Sequence, residues 1–189
     1  KAHLAQNRPS EGAGLGWETA TSLARAAVTR GIPLASHDDD TLLKVERMVE
    51  LGARLSEFPV TLEAALEAKK RGLQVLMGAP NALRGGSHRG NLSALEVLER
   101  GALDALAADY SPMALLAAPF QLAQSGLLEL HDAVNLVTRN PARMVGLKDR
   151  GALEVGQRAD LVLLEEKPSP RVRATIRATS QATIQATMQ

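Results

Sequence analysis

Four short apolar runs alternate with four helical segments between residues 32 and 124, and this alternation constrains the fold more than any other feature of the chain. The runs cover residues 32–37, 53–58, 73–79 and 103–109. Each run has the length and aliphatic content of a buried strand, and the segment after each has apolar residues at helical spacing. Strands that alternate with helices are typical of parallel βαβ units, so we expect an α/β protein.

Two architectures satisfy this alternation: a doubly wound sheet and half of a (β/α) barrel. The residues that follow the runs weakly favour the barrel, because the carboxyl ends of barrel strands converge on one mouth. Polar side chains stand at each of these ends, namely His37, Glu57, Asn81 with Arg84, and Asp109.

Composition excludes several classes of function. The chain has no cysteine, which rules out disulfides and thiolate metal sites and favours a cytoplasmic location. Its 22 basic and 21 acidic residues leave a net charge of +1. The sequence has no block of Lys and Arg residues of the kind that binds nucleic acid, so a nucleic-acid partner is not expected. No apolar run approaches the roughly 18 residues of a membrane span.

His37 and Asp109 are the candidate metal ligands. A neutral imidazole binds divalent ions well, and a carboxylate can hold a metal and accept a proton from water. The alternative is a buried histidine satisfied by a neighbouring carboxylate and an aspartate that caps a helix. Asp38, Asp39 and Asp40 could support His37, although at least one is expected to cap the helix near Thr41.

The segment 80–91, PNALRGGSHRGN, is predicted to be a loop because of its glycine content. Gly85 and Gly86 permit close backbone approach to a ligand, and the side chains of Arg84, Ser87 and His88 offer donors suited to phosphate. The segment lacks the GK[ST] of a Walker loop. From the residues alone, a phosphate-binding loop and a plain connection are equally good interpretations.

Several motifs resemble one known family. They are LASHDDDT, SEFPVTLEAA, VLMGAPNALRGGSHRGN, LAADYSP and LVTRNPARMVGLKDRGALEVGQRADLVL. Together they resemble the carboxyl-terminal half of the PhnM family, which are α-D-ribose 1-methylphosphonate 5-triphosphate diphosphatases of the amidohydrolase superfamily. The resemblance covers about residues 17–164.

The resemblance implies a distorted (β/α)8 barrel followed by the start of a small β-sandwich. The four strands would be strands five to eight, so that residues 1–150 form a partial metal-dependent hydrolase barrel. Residues 151–173 would return to the sandwich. Residues 174–189 repeat a four-residue unit, ATIR, ATSQ, ATIQ and ATMQ, and are expected to be a disordered low-complexity tail.

The resemblance also implies an activity in phosphonate catabolism: hydrolysis of the ribose 5-triphosphate to the 5-phosphate and pyrophosphate. His37 and Asp109 would bind a divalent metal, zinc or alternatively manganese, with Asp109 also the catalytic base. Asp38, Asp39 and Glu57 would support these ligands. The resemblance places substrate binding in the segment 80–91, and donor chemistry suggests that Arg84, Gly85, Gly86, Ser87 and His88 contact the phosphates while Asn81 orients the substrate.

Two alternatives stay open: hydrolysis of amide or cyclic-amide bonds by another amidohydrolase, and a non-catalytic fragment or interaction module. The last gains weight because the superfamily's first metal motif, HxH or HxD, is missing: His3 is followed by Leu4 and Ala5. Nothing before Trp17 supplies the first four barrel strands. We therefore expect a half barrel with open sheet edges, poor activity alone, and a tendency to form homo-oligomers.

Overall fold

The computed structural model of the chain describes residues 14–86, 91–166 and 169–178. Its helices are α1 (Gly14–Thr29), α2 (Leu42–Glu50), α3 (Leu62–Lys70), α4 (Ala79–Arg84), α5 (Ala94–Glu99), α6 (Pro112–Gln124), α7 (Leu130–Asn135) and α8 (Arg139–Met144). Its strands are β1 (Leu34–His37), β2 (Ala53–Glu57), β3 (Gln74–Gly78), β4 (Ala105–Ala107), β5 (Leu161–Glu165) and β6 (Arg171–Ile176).

Strands β1 to β4 form one sheet in which every neighbouring pair is parallel and the spatial order follows the order in sequence. The predicted parallel α/β fold is therefore confirmed. Because side chains alternate along a strand, the sheet has two distinct faces. The sheet residues of the main core are Val75, Met77 and Leu106, which pack with buried alanines of α3 and α6. A smaller cluster contains Leu55 and Ala105 with Met144 of α8.

The helices after β1 and β2 begin at threonines. For α2 this corrects the expectation that one of the aspartates 38–40 caps the helix, because the Thr41 hydroxyl holds the capping position. The Thr41 hydroxyl accepts a hydrogen bond from the backbone N–H of Lys44 at 3.3 Å, and the Thr61 hydroxyl accepts one from Ala64 at 3.2 Å. Each bond satisfies one of the N–H groups that a helix start leaves unpaired. These caps fix the point at which the chain leaves each strand, and so fix the short turns where the polar residues lie.

The prediction of a continuous loop over residues 80–91 was wrong, because α4 occupies its first part. Pro80 is compatible with the first turn of a helix, and Ala82 and Leu83 favour helix. The helix ends at Gly85, whose φ of 72° is a left-handed conformation that favours glycine. Residues 87–90, including Ser87 and His88, lie outside the described part of the chain.

Strands β5 and β6 form a separate two-stranded antiparallel sheet. Strand β6 runs to Ile176, so the ordered structure extends into the predicted tail 174–189, and the boundary at residue 173 is corrected. Backbone pairing explains this, since Ala174 and Ile176 pair with Leu163 and Leu161. The backbone N–H of Ala178 donates to Asp160 and lowers the pKa of that carboxyl group. Residues 179–189 lie outside the described residues.

No helix in the described ranges is both long enough and apolar enough to cross a bilayer.

Candidate functional site

The carboxyl ends of β1 and β2 bring His37 and Glu57 side by side. The two residues are register partners in the parallel sheet, and Glu57 is in turn the partner of Leu76 on β3. Register partners in neighbouring strands project from the same face, here the face of the smaller apolar cluster. The His37 side chain is 56% exposed, so its ring can reach a ligand at this edge of the sheet.

Asp109 lies at the same edge. An ideal Cβ built on Gly78, the last residue of β3, would stand 3.6 Å from Asp109 Oδ2. Gly78 is two residues after Leu76 and so shares its face. The Asp109 carboxylate therefore extends over the carboxyl end of β3, on the face that carries His37 and Glu57.

Three residues that follow strands have left-handed backbone conformations. These are Asp38 with φ 55°, Phe58 with φ 53° and Asp109 with φ 51°. Such a conformation costs a non-glycine residue free energy and is concentrated at functional sites. The three turns redirect the chain just where the candidate ligands stand, which supports the interpretation of this edge as a site.

His37 has two neighbours that fix its ring. Its Nδ1 lies 3.2 Å from Asp38 Oδ2, and its ring meets the Phe58 ring at 81° with centroids 5.4 Å apart. Asp38 thus lies next to the His37 ring, and its role as a support for a metal ligand stays a prediction. An Nδ1 hydrogen bond to a carboxylate would leave Nε2 as the free ligand atom.

Asn81 has both ends of its amide occupied. Its Nδ2 donates to the Leu92 carbonyl at 2.9 Å, and its Oδ1 accepts from the Ala94 backbone N–H at 3.0 Å. These bonds join α4 to the chain that enters α5, so Asn81 holds together the two ends of the segment 85–92. Direct contact between Asn81 and a substrate stays a prediction.

Arg84 and Tyr110 form a pair at the mouth of the site. The Arg84 guanidinium donates to the Tyr110 hydroxyl and lies 5.7 Å from the centre of that ring. Tyr110 follows Asp109 directly, so this contact places a cation near the candidate metal ligand. Both side chains are exposed, and a guanidinium in that position suits phosphate oxygens.

A divalent metal in a protein site requires several donor side chains close together. Among the residues that the structure describes, no three His, Asp or Glu side chains are grouped closely enough to hold an ion. His37 and Asp109 supply an imidazole and a carboxylate at one edge, which is the right chemistry for zinc but an incomplete set. The described residues therefore fit a metal site to which other residues also contribute.

Enlarging Gly78 tests the placement of Asp109. In Gly78→Ala the added carbon makes an ordinary contact with Asp109 Oδ2. The two further carbons of Gly78→Val are expected to displace the carboxylate. We expect Gly78→Val to weaken zinc binding about 10- to 100-fold, as loss of a supporting contact does, while Gly78→Ala binds like the parent. Calorimetric titration of the metal-free proteins measures both. Equal zinc affinities in the two variants would contradict this placement.

Sequence reasoning missed Gly78 and Tyr110. Tyr110 adjoins a candidate ligand, and this adjacency was an available signal. Gly78 carries no motif, because its significance comes from a contact that only the fold creates.

A cleft of about 410 Å³ lies elsewhere in the described structure. It opens beside the amino ends of β1 and β2 and the end of α8, where it is lined by Pro33, Ala53 and Met144. None of the predicted site residues lines it.

Comparison with known proteins connects this geometry to a family. The amidohydrolase family model matches residues 18–188. The alpha-D-ribose 1-methylphosphonate 5-triphosphate diphosphatase of Escherichia coli (strain K12) is 50% identical over 148 residues, which cover 77% of this chain and 39% of that protein. A dihydroorotase of Methanopyrus kandleri is 33% identical over 100 residues, which cover 43% of this chain and 23% of the relative.

Two solved structures share the fold. One, described as an uncharacterized protein, has a TM-score of 0.63 at 19% identity. The aligned region covers 88% of this chain and 49% of that protein's chain. The other, a prolidase complexed with N-methylphosphonate-L-proline, has a TM-score of 0.58 at 18% identity and covers 85% of this chain and 48% of its own. The chain thus spans less than half the length of each of these relatives. With the family model matching most of its residues, the chain belongs to the amidohydrolase family.

Proposed function

We propose that this chain supplies catalytic residues, at the carboxyl ends of its parallel strands, to an enzyme. That enzyme hydrolyses α-D-ribose 1-methylphosphonate 5-triphosphate to the 5-phosphate and pyrophosphate. The observation that carries the proposal is the 50% identity to a diphosphatase of that name over 148 residues. That identity spans 77% of a chain in which His37, Glu57 and Asp109 share one edge. We further propose a cytoplasmic location, in keeping with the absence of cysteine.

The four parallel strands are proposed to be strands five to eight of a (β/α)8 barrel. Their spatial order follows their sequence order, as closure into a barrel requires. The doubly wound order of dinucleotide-binding folds, by contrast, reverses direction at a switch point. In this proposal the face of the sheet that carries His37 and Glu57 lines the barrel interior. Residues 151–173 lead into a small sandwich. Strand β1 is an outer strand of this sheet, and its pairing with a second copy of the chain stays a prediction.

His37 and Asp109 are proposed as two ligands of a divalent ion, with zinc the first candidate and manganese the second. Such an ion, when bound, lowers the pKa of a water molecule and polarises a phosphoryl oxygen. Glu57 stands beside His37 as the next carboxylate at this edge, while Asp38 and Asp39 support the His37 turn.

The chain's own groups divide the rest of the reaction. The Asp109 carboxylate takes the proton as the water oxygen bonds to phosphorus and the bridging P–O bond between the α and β phosphates breaks. Arg84 balances the negative charge of the phosphates, in the orientation that Tyr110 gives it. The backbone of Gly85 and Gly86 permits close approach of the phosphates, and Ser87 and His88 are proposed as further donors.

Pyrophosphate release tests this function. The chain, loaded with zinc or manganese, should release pyrophosphate from the ribose triphosphate at a low rate, because its described residues supply only part of a metal-ligand set. Arg84→Gln should raise KM for the triphosphate about tenfold or more, because it removes a charge-assisted contact. The Arg143→Gln variant is the matched control, since Arg143 lies at the far cleft. A folded chain that neither binds metal nor releases pyrophosphate would overturn the proposal and favour a non-catalytic fragment.

A second candidate is hydrolysis of an amide or cyclic-amide bond, which the similarity to the dihydroorotase favours. The glycine-rich segment with Arg84 is better suited to phosphates than to an uncharged amide. The same protein should therefore be assayed with dihydroorotate. Turnover of that substrate, without turnover of the triphosphate, would favour the second candidate.

A further inference from the structure

Two successive strand-to-helix turns, residues 36–42 and 56–62, have the same backbone plan. In each turn a serine is followed by an exposed or half-buried strand end, a left-handed residue, and a threonine that caps the next helix. The register of the sheet aligns Ser36 with Ser56 and His37 with Glu57, and the later residues correspond by the same spacing of 20 along the sequence. The corresponding residues are Ser36 and Ser56, Asp38 and Phe58, and Thr41 and Thr61.

Up to the third residue of each following helix, four positions carry charge in the first turn only, namely residues 38, 39, 40 and 44, and of these Asp39 and Lys44 form an ion pair. Asp39 corresponds to Pro59, and both are buried; Lys44 corresponds to Ala64. The second turn keeps its left-handed residue and its cap without an aspartate or a lysine at these positions. The backbone path therefore does not require the two charged groups, and their presence in the first turn has another cause.

Asp39 joins the two strands that carry His37 and Glu57. Its side chain is fully buried, and its Oδ2 accepts hydrogen bonds from Ser36 Oγ at 2.6 Å and Ser56 Oγ at 2.5 Å. Its Oδ1 has no hydrogen-bond partner, and a buried charge without compensation is costly.

Lys44 supplies that compensation. Its Nζ lies 3.8 Å from Asp39 Oδ1 and donates to the backbone carbonyls of His37 and Asp38, at 2.8 Å each. Lys44 is also the third residue of α2, where the helix dipole disfavours a cation and a capping box would place a glutamate. This unfavourable choice, made where the lysine holds the His37 backbone, indicates a role at the site.

We propose that Asp39 and Lys44 are positioning residues that fix the carboxyl end of β1 and hold the His37 imidazole in its ligand orientation next to Glu57. Lys44 binds the two carbonyls on either side of the turn, and Asp39 anchors the ammonium while it ties β1 to β2 through the two serines. This inference rests on the proposed function for the identity of His37 as a ligand. The positioning itself does not depend on catalysis.

Proton NMR of the metal-free chain tests the positioning. The sequence has four histidines, so the His37 ring protons can be assigned by their loss in His37→Gln. The spectra are recorded at a pH of about 8, where an ordinary imidazole is neutral. The Phe58 ring should shift the His37 ring-proton resonances away from the chemical shifts of exposed His131. In Lys44→Met and Asp39→Asn we expect the His37 chemical shifts to approach those of His131. Lys44→Arg should restore the parental His37 chemical shifts. Lys70→Met, which changes an exposed lysine, should leave them unchanged.

Zinc titration of the same variants separates this inference from the proposed function. If the parent binds zinc, Lys44→Met and Asp39→Asn should bind it about 10- to 100-fold more weakly. A parent that binds no zinc but shows the expected His37 displacements would overturn the metal site and leave the positioning intact. Folded variants with an unmoved His37 signal, or with parental zinc affinity, would overturn the positioning. An unfolded Lys44→Met would also overturn it, because the second turn predicts that the backbone forms without this lysine.

Discussion

Replacing Asp109 by Asn should lower the rate of pyrophosphate release about 10²- to 10⁴-fold, the usual contribution of a positioned general base. The amide cannot accept the proton that the carboxylate takes from water. Asn is the better replacement than Ala, because Asp109 has a φ of 51° and Asn tolerates the left-handed conformation. The loss should therefore appear in kcat with the unfolding free energy nearly unchanged, since the side chain is exposed.

The matched control for this prediction is Asp132→Asn, which makes the same chemical change at an exposed aspartate of α7. Steady-state kinetics of pyrophosphate release and urea unfolding of the parent and the two variants measure the two effects. If the Asp109→Asn variant keeps more than a tenth of the parental kcat, Asp109 is excluded as the base. An equal loss in the control would point to charge in general rather than to this carboxylate.

The positions of the candidate ligands could be predicted because they depend on local pattern. A short aliphatic run followed by a polar residue and a capping threonine places His37 and Glu57 at strand ends whatever the rest of the fold does. The parallel arrangement followed from the alternation of strands and helices, and the structure confirms it. The shared edge of His37 and Asp109 is a direct consequence of that arrangement.

Other parts of the site depend on contacts between residues distant in sequence and could not be predicted in this way. Glycine content suggested a loop after β3, but the first residues, APNALR, favour a helix until Gly85 ends it. Three aspartates in a row gave no indication of which one is buried, because burial of Asp39 depends on Ser56, 17 residues away. The proximity of Asp109 to Gly78 likewise depends on the pairing of β3 with β4.

Asp104 lies at the amino end of β4, opposite to the candidate ligands, and its contacts join several elements of the fold. Both of its carboxylate oxygens accept from Lys69 Nζ, at 2.7 and 2.9 Å, and one accepts from the backbone N–H of buried Val75 at 2.8 Å. Its backbone carbonyl accepts from Asn140 Nδ2 at 2.7 Å. One residue thus connects α3, β3, β4 and α8, and the register of β3 against β4 sets where Gly78 meets Asp109.

We expect Asp104→Ala to lower the free energy of unfolding by about 2–4 kcal/mol, because it leaves a buried N–H and an ammonium without their partner. That is a large fraction of the roughly 5–15 kcal/mol that stabilises a typical domain. Asp104→Asn keeps an acceptor for Val75 and loses the charge, so it should cost roughly half as much. In a Lys69→Met background, Asp104→Asn should add little further cost, since the ammonium group that the carboxylate pairs with is already gone. Urea unfolding with unchanged m-values measures these differences, and Asp149→Ala, at an exposed ion pair, is the control. If Asp104→Ala proved as stable as that control, the Asp104 contacts would not hold β3 against β4, and the position of Asp109 would need another support.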